Sequence, residues 1–146
     1  MLPRATIVGR LVVLDVLGAG GMGVVYAAYD PELDRKVAIK FLHTQAGDRE
    51  TRADARARIL REAQSMARVQ HENLIAVYDV GTFRDRVFIA MELSEGTTLE
   101  GWLRERPRTW REIVDAFASA GRGLVAAHEG GILHLDFKPG NVLIRK

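Results

Sequence analysis

Apolar residues alternate with polar or small residues through the first half of the chain, which is the pattern of half-buried β-strands. Three such segments, residues 11–17, 24–29 and 36–42, are separated by short turns and predict an antiparallel meander. Two further strands are predicted at residues 75–80 and 87–93.

One helix interrupts these strands. Residues 51–69 contain many alanines and arginines but neither glycine nor proline. Ile59, Met66 and Val69 fall on one face of this predicted helix, and Glu62 lies on the same face. A carboxylate on an apolar face needs a partner, so Glu62 predicts an ion pair.

The pattern becomes mostly helical after a boundary near Ser94–Gly96. Two Thr-x-x-Glu sequences, Thr97–Glu100 and Thr109–Glu112, have the spacing of a capping box at a helix start. The second one opens a helix predicted over Trp110–Glu129, and the Gly-Gly pair that begins at Gly130 ends it.

The long helix and the segments after it complete the predicted order of elements. The apolar stripe of the helix consists of Ile113, Val114, Phe117, Leu124 and Ala127. Residues 132–137 and 142–144 are predicted to be short extended segments around a turn at Pro139-Gly140. Five strands with one inserted helix, followed by a mostly helical part, indicate an α+β fold.

Composition excludes several classes of site. The 146 residues contain no cysteine, which removes disulfides, thiolate metal sites and cysteine nucleophiles. The 21 Lys and Arg residues against 19 Asp and Glu give a net charge of only +2, so nucleic-acid binding through bulk charge is not indicated. No apolar run approaches the roughly 18–20 residues of a membrane span.

Three clusters could carry chemistry. The first is the glycine cluster at residues 18–23, which is either a tight hairpin connection or a loop whose backbone N–H groups bind phosphate. A strand follows it, which argues against a Rossmann helix, and Val24-Val25 excludes the Lys-Ser/Thr of a P-loop.

The second cluster is Lys40 at the end of the third strand. An isolated strand-end lysine usually extends into solvent. Here Glu62 also needs a partner, and a Lys40–Glu62 ion pair would satisfy both groups and hold the ammonium near the glycine cluster.

The third cluster is a polar turn within residues 134–141. Asp136 can accept a proton, Lys138 can neutralise a phosphoryl group and Asn141 can offer an oxygen to Mg²⁺. A polar turn chosen for its backbone alone is the alternative for each of these residues taken separately.

In this order and spacing the segments resemble the N-terminal part of the kinase domain of bacterial, eukaryotic-like (Hanks-type) Ser/Thr protein kinases. Residues 17–26 are similar to the glycine-rich loop and residues 37–40 to the Val-Ala-Ile-Lys strand. Residues 61–63 resemble the helix C glutamate region, residues 91–93 the gatekeeper and hinge, and residues 134–141 the catalytic loop.

The resemblance implies a kinase small lobe over residues 11–93, after an N-terminal tail at residues 1–10. This lobe would be a five-stranded antiparallel sheet with helix C. Residues 94–146 would be the hinge and an incomplete large lobe, with its first helices and the catalytic hairpin.

The resemblance also implies roles for individual residues, with ATP and Mg²⁺ as cofactors. Lys40 would pair with the α- and β-phosphates and with Glu62. Asp136 would be the catalytic base, Lys138 would contact the γ-phosphate and Asn141 would ligate Mg²⁺. The implied nucleotide-binding residues are Leu17, Gly18, Ala19, Gly20, Gly21, Met22, Gly23, Val24, Val25, Ala38, Lys40, Met91, Glu92, Ser94 and Leu143.

Two departures from the family pattern change the expectation. Leu135 stands where many relatives have an arginine that binds a phosphate on the activation loop, so control by that phosphate is not expected. The sequence also ends at Lys146, before any Asp-Phe-Gly segment. By itself the chain is therefore expected to bind Mg·ATP weakly and not to turn it over.

Further expectations concern partners and alternatives. Protein Ser/Thr hydroxyls would be the substrate of the complete parent, with no nucleic acid and no membrane segment in this chain. We expect a cytoplasmic location and self-association through the apolar stripe of the long helix. The alternatives are a degenerate lobe that binds nucleotide or a partner without catalysis, and a small-molecule phosphotransferase. Lys138 and the Val-Ala-Ile-Lys segment favour a protein kinase over the latter.

Overall fold

The computed structural model describes residues 1–20, 23–43, 47–133 and 137–145. The chain divides into two compact units. The first consists of Met1–Ala67 and Ala76–Leu93, and the second of Arg68–Ile75 and Ser94–Lys146. Within the described ranges, no helix is both long enough and apolar enough to cross a bilayer.

The first unit is built on an antiparallel sheet. In chain order, its strands and helix are β1 (Ile7–Val8), β2 (Leu11–Gly20), β3 (Gly23–Asp30), β4 (Arg35–Phe41), α1 (Arg52–Arg68), β5 (Val77–Phe83) and β6 (Arg86–Glu92). The spatial order of the strands is β1-β2-β3-β4-β6-β5. Every neighbouring pair of strands is antiparallel. Strands that are consecutive in the chain pair as hairpins, whereas β4 pairs with β6 although α1 and β5 lie between them in the chain.

The two faces of this sheet bury different sets of side chains. One face carries an apolar cluster that includes Val13, Tyr26, Ile39 and Phe88. The opposite face packs against α1, through Ile59 and Ala63 of the helix and Val87 and Ile89 of β6. Alternation along each strand divides the residues between these faces, as the period of two requires.

The second unit contains two helices and a short ribbon. Its elements are β7 (Gly96–Thr98), α2 (Leu99–Glu105), α3 (Trp110–Glu129), a 3₁₀ turn (Pro139–Asn141) and β8 (Leu143–Arg145). β7 and β8 pair in an antiparallel register, with Thr97 opposite Ile144.

The α+β fold class is confirmed, with some differences in detail. The sheet has a sixth strand, because Ile7–Val8 pairs with the start of β2 within the segment predicted to be a tail. The capping box of α3 is present, but α2 begins one residue later than predicted, with Thr98 rather than Thr97 at its N-cap. The β7–β8 pairing was not predicted.

The apolar stripe of α3 also differs from the prediction. Ala127 is buried, and Ile113 and Leu124 are half-buried. The exposed apolar side chains are Trp110, Val114, Phe117 and Val125. The helix therefore carries a second, outward apolar face that the sequence pattern did not separate from the first.

Candidate active site

A row of directly opposed residues crosses four strands of the first unit and connects the glycine-rich end of β2 with Lys40. Gly18 on β2 lies opposite Val25 on β3, and Val25 lies opposite Lys40 on β4. Lys40 in turn lies opposite Ile89 on β6. Directly opposed residues share a face, so these four residues lie on the side of the sheet that packs against α1.

A second row runs beside the first. Ala27 on β3 lies opposite Ala38 on β4, and Ala38 lies opposite Met91 on β6. The two alanine side chains are small and buried, so little side-chain bulk covers this part of the sheet next to Lys40. The predicted nucleotide contacts Gly18, Val25, Ala38, Lys40 and Met91 therefore share one face.

The strand ends that flank the glycine cluster have an irregular backbone. The ladder between β2 and β3 shifts register between Val16 and Gly18, which leaves Leu17 in a bulge with half of its side chain exposed. Gly23 has a φ of +104°, a value that strains an L side chain, and a Cβ there would lie 3.4 Å from His43 Nε2. Gly20 pairs with Gly23 and Ala19 with Val24, while Gly21 and Met22 lie outside the described residues.

The predicted Lys40–Glu62 ion pair is absent from the structure, in which both residues are described. Glu62 Oε1 instead lies 3.4 Å from Arg58 Nη1, one turn earlier on α1, and the Glu62 side chain is 65% exposed. Arg58 also binds Glu50 through two nitrogens, at 3.1 and 3.3 Å. This contact is the largest cause that lowers the pKa of Glu50 and raises that of Arg58. Arg58, which is also bonded to Glu50, is therefore the cation that contacts the carboxylate predicted to pair with Lys40.

The two predicted hinge residues belong to different units. The backbone N–H of Glu92 donates to the carbonyl of Ala76 at 2.8 Å, so that donor is already used within the first unit. Ser94 belongs to the second unit, and its Oγ is buried with no hydrogen-bond partner in the part of the chain that the structure describes.

The predicted catalytic turn lies in the second unit and is described from Phe137 onward. Lys138 and Asn141 are exposed, and the N–H of Asn141 donates to the carbonyl of Lys138 at 2.9 Å across the 3₁₀ turn. The turn is fixed to α2 because the N–H of Leu99 donates to the carbonyl of Val142 at 2.7 Å. His134, Leu135 and the predicted base Asp136 lie outside the described residues.

A cavity of about 410 Å³ lies within the second unit, and the predicted residues Ser94, Asn141 and Leu143 line it. Asn73, which sequence reasoning missed, also lines it, and its buried Oδ1 lacks a partner among the described residues. No local signal marked Asn73, because its position depends on a close approach to Gly123 of α3, far along the chain.

The residues present fit a nucleotide better than they fit a complete metal site. The face with Gly18, Val25 and Lys40 has open space at Gly18 on β2 and a half-buried lysine two strands away on β4, and both features suit the binding of phosphates. For a metal, the amide oxygen of Asn141 is a ligand type that Mg²⁺ accepts. Over residues 1–20, 23–43, 47–133 and 137–145, no group of three or more His, Asp or Glu side chains could hold a metal ion.

Comparison with known proteins decides the family. The model of the protein kinase domain matches residues 11–146. The chain belongs to the protein kinase family. The kinase chain is 39% identical over 131 residues to the serine/threonine-protein kinase PknJ of Mycobacterium tuberculosis, which is 90% of this chain and 22% of that protein.

Other relatives agree. The kinase chain is 40% identical over 149 residues to the serine/threonine-protein kinase PrkC of Bacillus subtilis, covering 99% of this chain and 22% of that protein. Among solved structures, a double mutant of the Mycobacterium tuberculosis PknI kinase domain matches with a TM-score of 0.84 and 28% identity. That match covers 100% of this chain and 60% of the PknI chain. The kinase chain thus spans about a fifth of the length of these curated relatives.

Proposed function

We propose that the whole protein carrying this chain transfers the γ-phosphoryl group of ATP to serine or threonine hydroxyls of protein substrates, with Mg²⁺ as the metal cofactor. The observation that carries the proposal is the position of Lys40. Lys40 is half-buried and lies on one sheet face with Val25 and Gly18, across β3 from the glycine-rich end of β2. Family membership and the Ser/Thr kinase relatives support the same reaction.

Each residue has a definite task in this reaction. Bound ATP supplies the phosphoryl group, and bound Mg²⁺ neutralises part of its charge. The Lys40 ammonium offsets phosphate charge at the sheet face, and Lys138 does so at the turn. The amide oxygen of Asn141 serves as a metal ligand, and Asp136 accepts the proton of the acceptor hydroxyl.

Glu62 would act by positioning Lys40, and this requires a change from the observed arrangement. Its carboxylate must leave Arg58 and approach the Lys40 ammonium. The pair with Arg58 is exposed at both ends, and exposed ion pairs contribute little, so the cost of breaking it is small. A rotation of α1 that carried Glu62 toward β4 would give Lys40 the fixed carboxylate that orients an ammonium.

The decisive test replaces Lys40 by methionine in the whole protein. Loss of the ammonium should reduce phosphoryl transfer to a protein substrate by at least about 100-fold, because a preorganised charge contributes that much to such reactions. Lys36→Met is the matched control, since Lys36 lies on the same strand and is exposed. Circular dichroism should show both variants folded. Full activity in Lys40→Met would overturn the proposal.

The same assay separates the two alternatives. A nucleotide-binding module would retain fluorescent ATP-analogue binding that depends on Lys40, yet transfer nothing to any acceptor. A small-molecule phosphotransferase would phosphorylate an aminoglycoside-type acceptor in preference to protein. Phosphoserine or phosphothreonine in a protein substrate, lost in Lys40→Met, is the outcome that we expect.

A further inference from the structure

Two arginines lie at the turn between β5 and β6, and each is stacked on an aromatic ring. The guanidinium carbon of Arg84 is 4.9 Å from the ring centre of Phe83, and that of Arg86 is 4.7 Å from the ring centre of Phe41. Both arginines are exposed. Stacking on a ring holds a guanidinium in place while the N–H groups around its edge stay free to donate.

These two guanidiniums lie on the same face of the sheet. Arg86 is directly opposite Phe83 in the β5–β6 ladder, so its side chain shares a face with that ring. The rings of Phe83 and Phe41 are neighbours in the apolar cluster, with their centres 6.1 Å apart. Arg84 and Arg86, which we call the arginine pair, therefore lie over adjacent rings and carry two positive charges on one side of the sheet.

The charge of the arginine pair has no acidic partner among the described residues. Neither guanidinium forms an ion pair or a hydrogen bond with another side chain in that part of the chain. The acid of the turn itself, Asp85, instead binds Arg56 of α1 at 2.6 Å. Because α1 packs against the opposite face of the sheet, this contact directs the Asp85 carboxylate away from the arginine pair.

The backbone of the turn has an uncommon conformation. Arg84 and Asp85 have φ values of +47° and +61°, in the left-handed region that asparagine and glycine enter more easily. The ion pair with Arg56 connects this turn to α1. Residues in such conformations cluster at binding sites, where the side chains that they orient are needed. The backbone therefore supports a binding role for the side chains of the turn.

We propose that the arginine pair binds the phosphate of a phosphoserine or phosphothreonine in a partner protein. Such a phosphate offers three acceptor oxygens, and each guanidinium can donate two parallel hydrogen bonds to it. The two positive charges of the pair match the charge of one phosphate group. This role goes beyond the proposed transfer reaction and does not depend on it.

The surface at the turn favours a single phosphate on a protein over a polyanion or a membrane. Nucleic acids are bound by many basic residues along an extended surface, whereas the net charge of this chain is only +2. Binding to a membrane surface gains strength from apolar side chains that enter the lipid. None of the exposed large apolar side chains in the described ranges belongs to this turn or to β6.

Surface plasmon resonance tests the proposal, with the whole protein immobilised and peptides in flow without nucleotide. The peptides carry one threonine, phosphothreonine or glutamate between alanines and glycines. We expect the phosphothreonine peptide to bind at least about tenfold more tightly than the other two, because neither offers a dianion with three acceptor oxygens. Arg84→Gln and Arg86→Gln should each weaken that binding by about tenfold.

Arg111→Gln is the matched control. Arg111 is also an exposed arginine stacked on a ring, with its guanidinium carbon 5.2 Å from the ring centre of Trp110, but it belongs to the second unit. Its substitution should leave phosphothreonine binding unchanged. Arg86→Lys keeps an aliphatic chain over Phe41, and it should still weaken binding because an ammonium cannot donate two parallel bonds. Circular dichroism should show all variants folded.

Each of four results would overturn the proposal. Equal binding of the threonine and phosphothreonine peptides, or unchanged binding in both glutamine variants of the arginine pair, would exclude a phosphate site at this turn. Inorganic phosphate that binds as tightly as the phosphothreonine peptide would assign the site to the free ion. Tighter binding to vesicles that contain phosphatidylinositol phosphates would assign it to a membrane.

Phosphoryl transfer to an unphosphorylated protein substrate separates this proposal from the proposed function. Transfer should be unchanged in Arg84→Gln and Arg86→Gln, because neither residue takes part in that reaction. Loss of phosphothreonine binding with normal transfer is therefore the expected result for these variants. A protein that binds the phosphothreonine peptide through the arginine pair but transfers no phosphate would contradict the proposed function alone.

Discussion

Asp30 shows how a single buried residue supports the row that contains Lys40. Its side chain is 2% exposed at the end of β3, and it binds Arg10 through two nitrogens at 3.1 and 3.0 Å. It also accepts from the backbone N–H groups of Glu32 and Leu33 in the following turn. These contacts fix the turn from β3 to β4, and so the register that places Val25 opposite Lys40.

We expect Asp30→Asn to lower the Tm by several degrees, since an amide leaves Arg10 with only the exposed Glu32 as a charged partner and satisfies the turn poorly. The hydrogen bond from Arg10 is the largest cause that lowers the pKa of Asp30. A carboxyl whose folded pKa is depressed stabilises the fold above its unfolded pKa of about 4 and loses that effect as pH falls through the folded value. In thermal melts, the difference in Tm between wild type and Asp30→Asn should therefore become smaller below pH 4.

Asp15→Asn is the control for that measurement. Asp15 also pairs with an arginine, Arg4, but the two side chains are 60% and 76% exposed. Its substitution should change the Tm little. Equal effects of the two substitutions would contradict the structural role given to Asp30.

At the scale of elements, the sequence predicted those helix bounds that are determined by capping residues close to the helix ends. The bounds of α3 agree with the prediction because Thr109 and Glu112 form a reciprocal capping box and Gly130 ends the helix. Thr109 and Arg106 hold the pKa of Glu112 down to about 2, the backbone N–H of Thr109 being the largest cause. The shorter α2 was misplaced by one residue because Thr97 and Thr98 are equally good caps in the sequence.

The pairing of strands that lie far apart in the sequence left no such local signal. Gly96 lies so close to β8 that a Cβ there would be 2.0 Å from the carbonyl oxygen of Ile144. This glycine is required by a strand that follows almost fifty residues later. The sequence pattern therefore predicted an extended segment at residues 142–144, which overlaps β8, but neither β7 nor its pairing with β8.

Two glycines of α3 make a matched pair of predictions. A Cβ on Gly121 would meet nothing within 4 Å, so Gly121→Ala should stabilise the protein by up to about 1 kcal/mol through helix propensity. A Cβ on Gly123 would lie 2.4 Å from the carbonyl oxygen of Asn73. Gly123→Ala should therefore destabilise the protein, although it gains the same helix propensity. Urea unfolding of both variants measures the difference, and stabilisation by both would show that Asn73 does not pack closely on α3.

At the scale of the whole molecule, the motifs predicted which residues carry chemistry, but not which of their side chains contact each other. Lys40 and the glycine-rich strand could be predicted together because consecutive hairpins place neighbouring strands side by side. The partner of Glu62 could not be predicted, because Arg58 lies one turn earlier on the same helix while Lys40 lies on a neighbouring element of the fold, and the spacing of residues does not choose between these two cations.

The outward face of α3 leads to the last prediction, which concerns the 146-residue chain in solution. Trp110, Val114 and Val125 are 70%, 54% and 55% exposed at helical spacing, and such a contiguous apolar strip favours association. We expect the chain to self-associate at tens of micromolar, as measured by sedimentation velocity. Val114→Asp should shift it toward monomer, because a carboxylate on the strip must be desolvated at any contact. Ile7→Asp, at a residue of β1 that is 62% exposed, should not. A wild-type chain that sediments as a monomer throughout this range, or two aspartate variants that behave alike, would show that α3 does not mediate association.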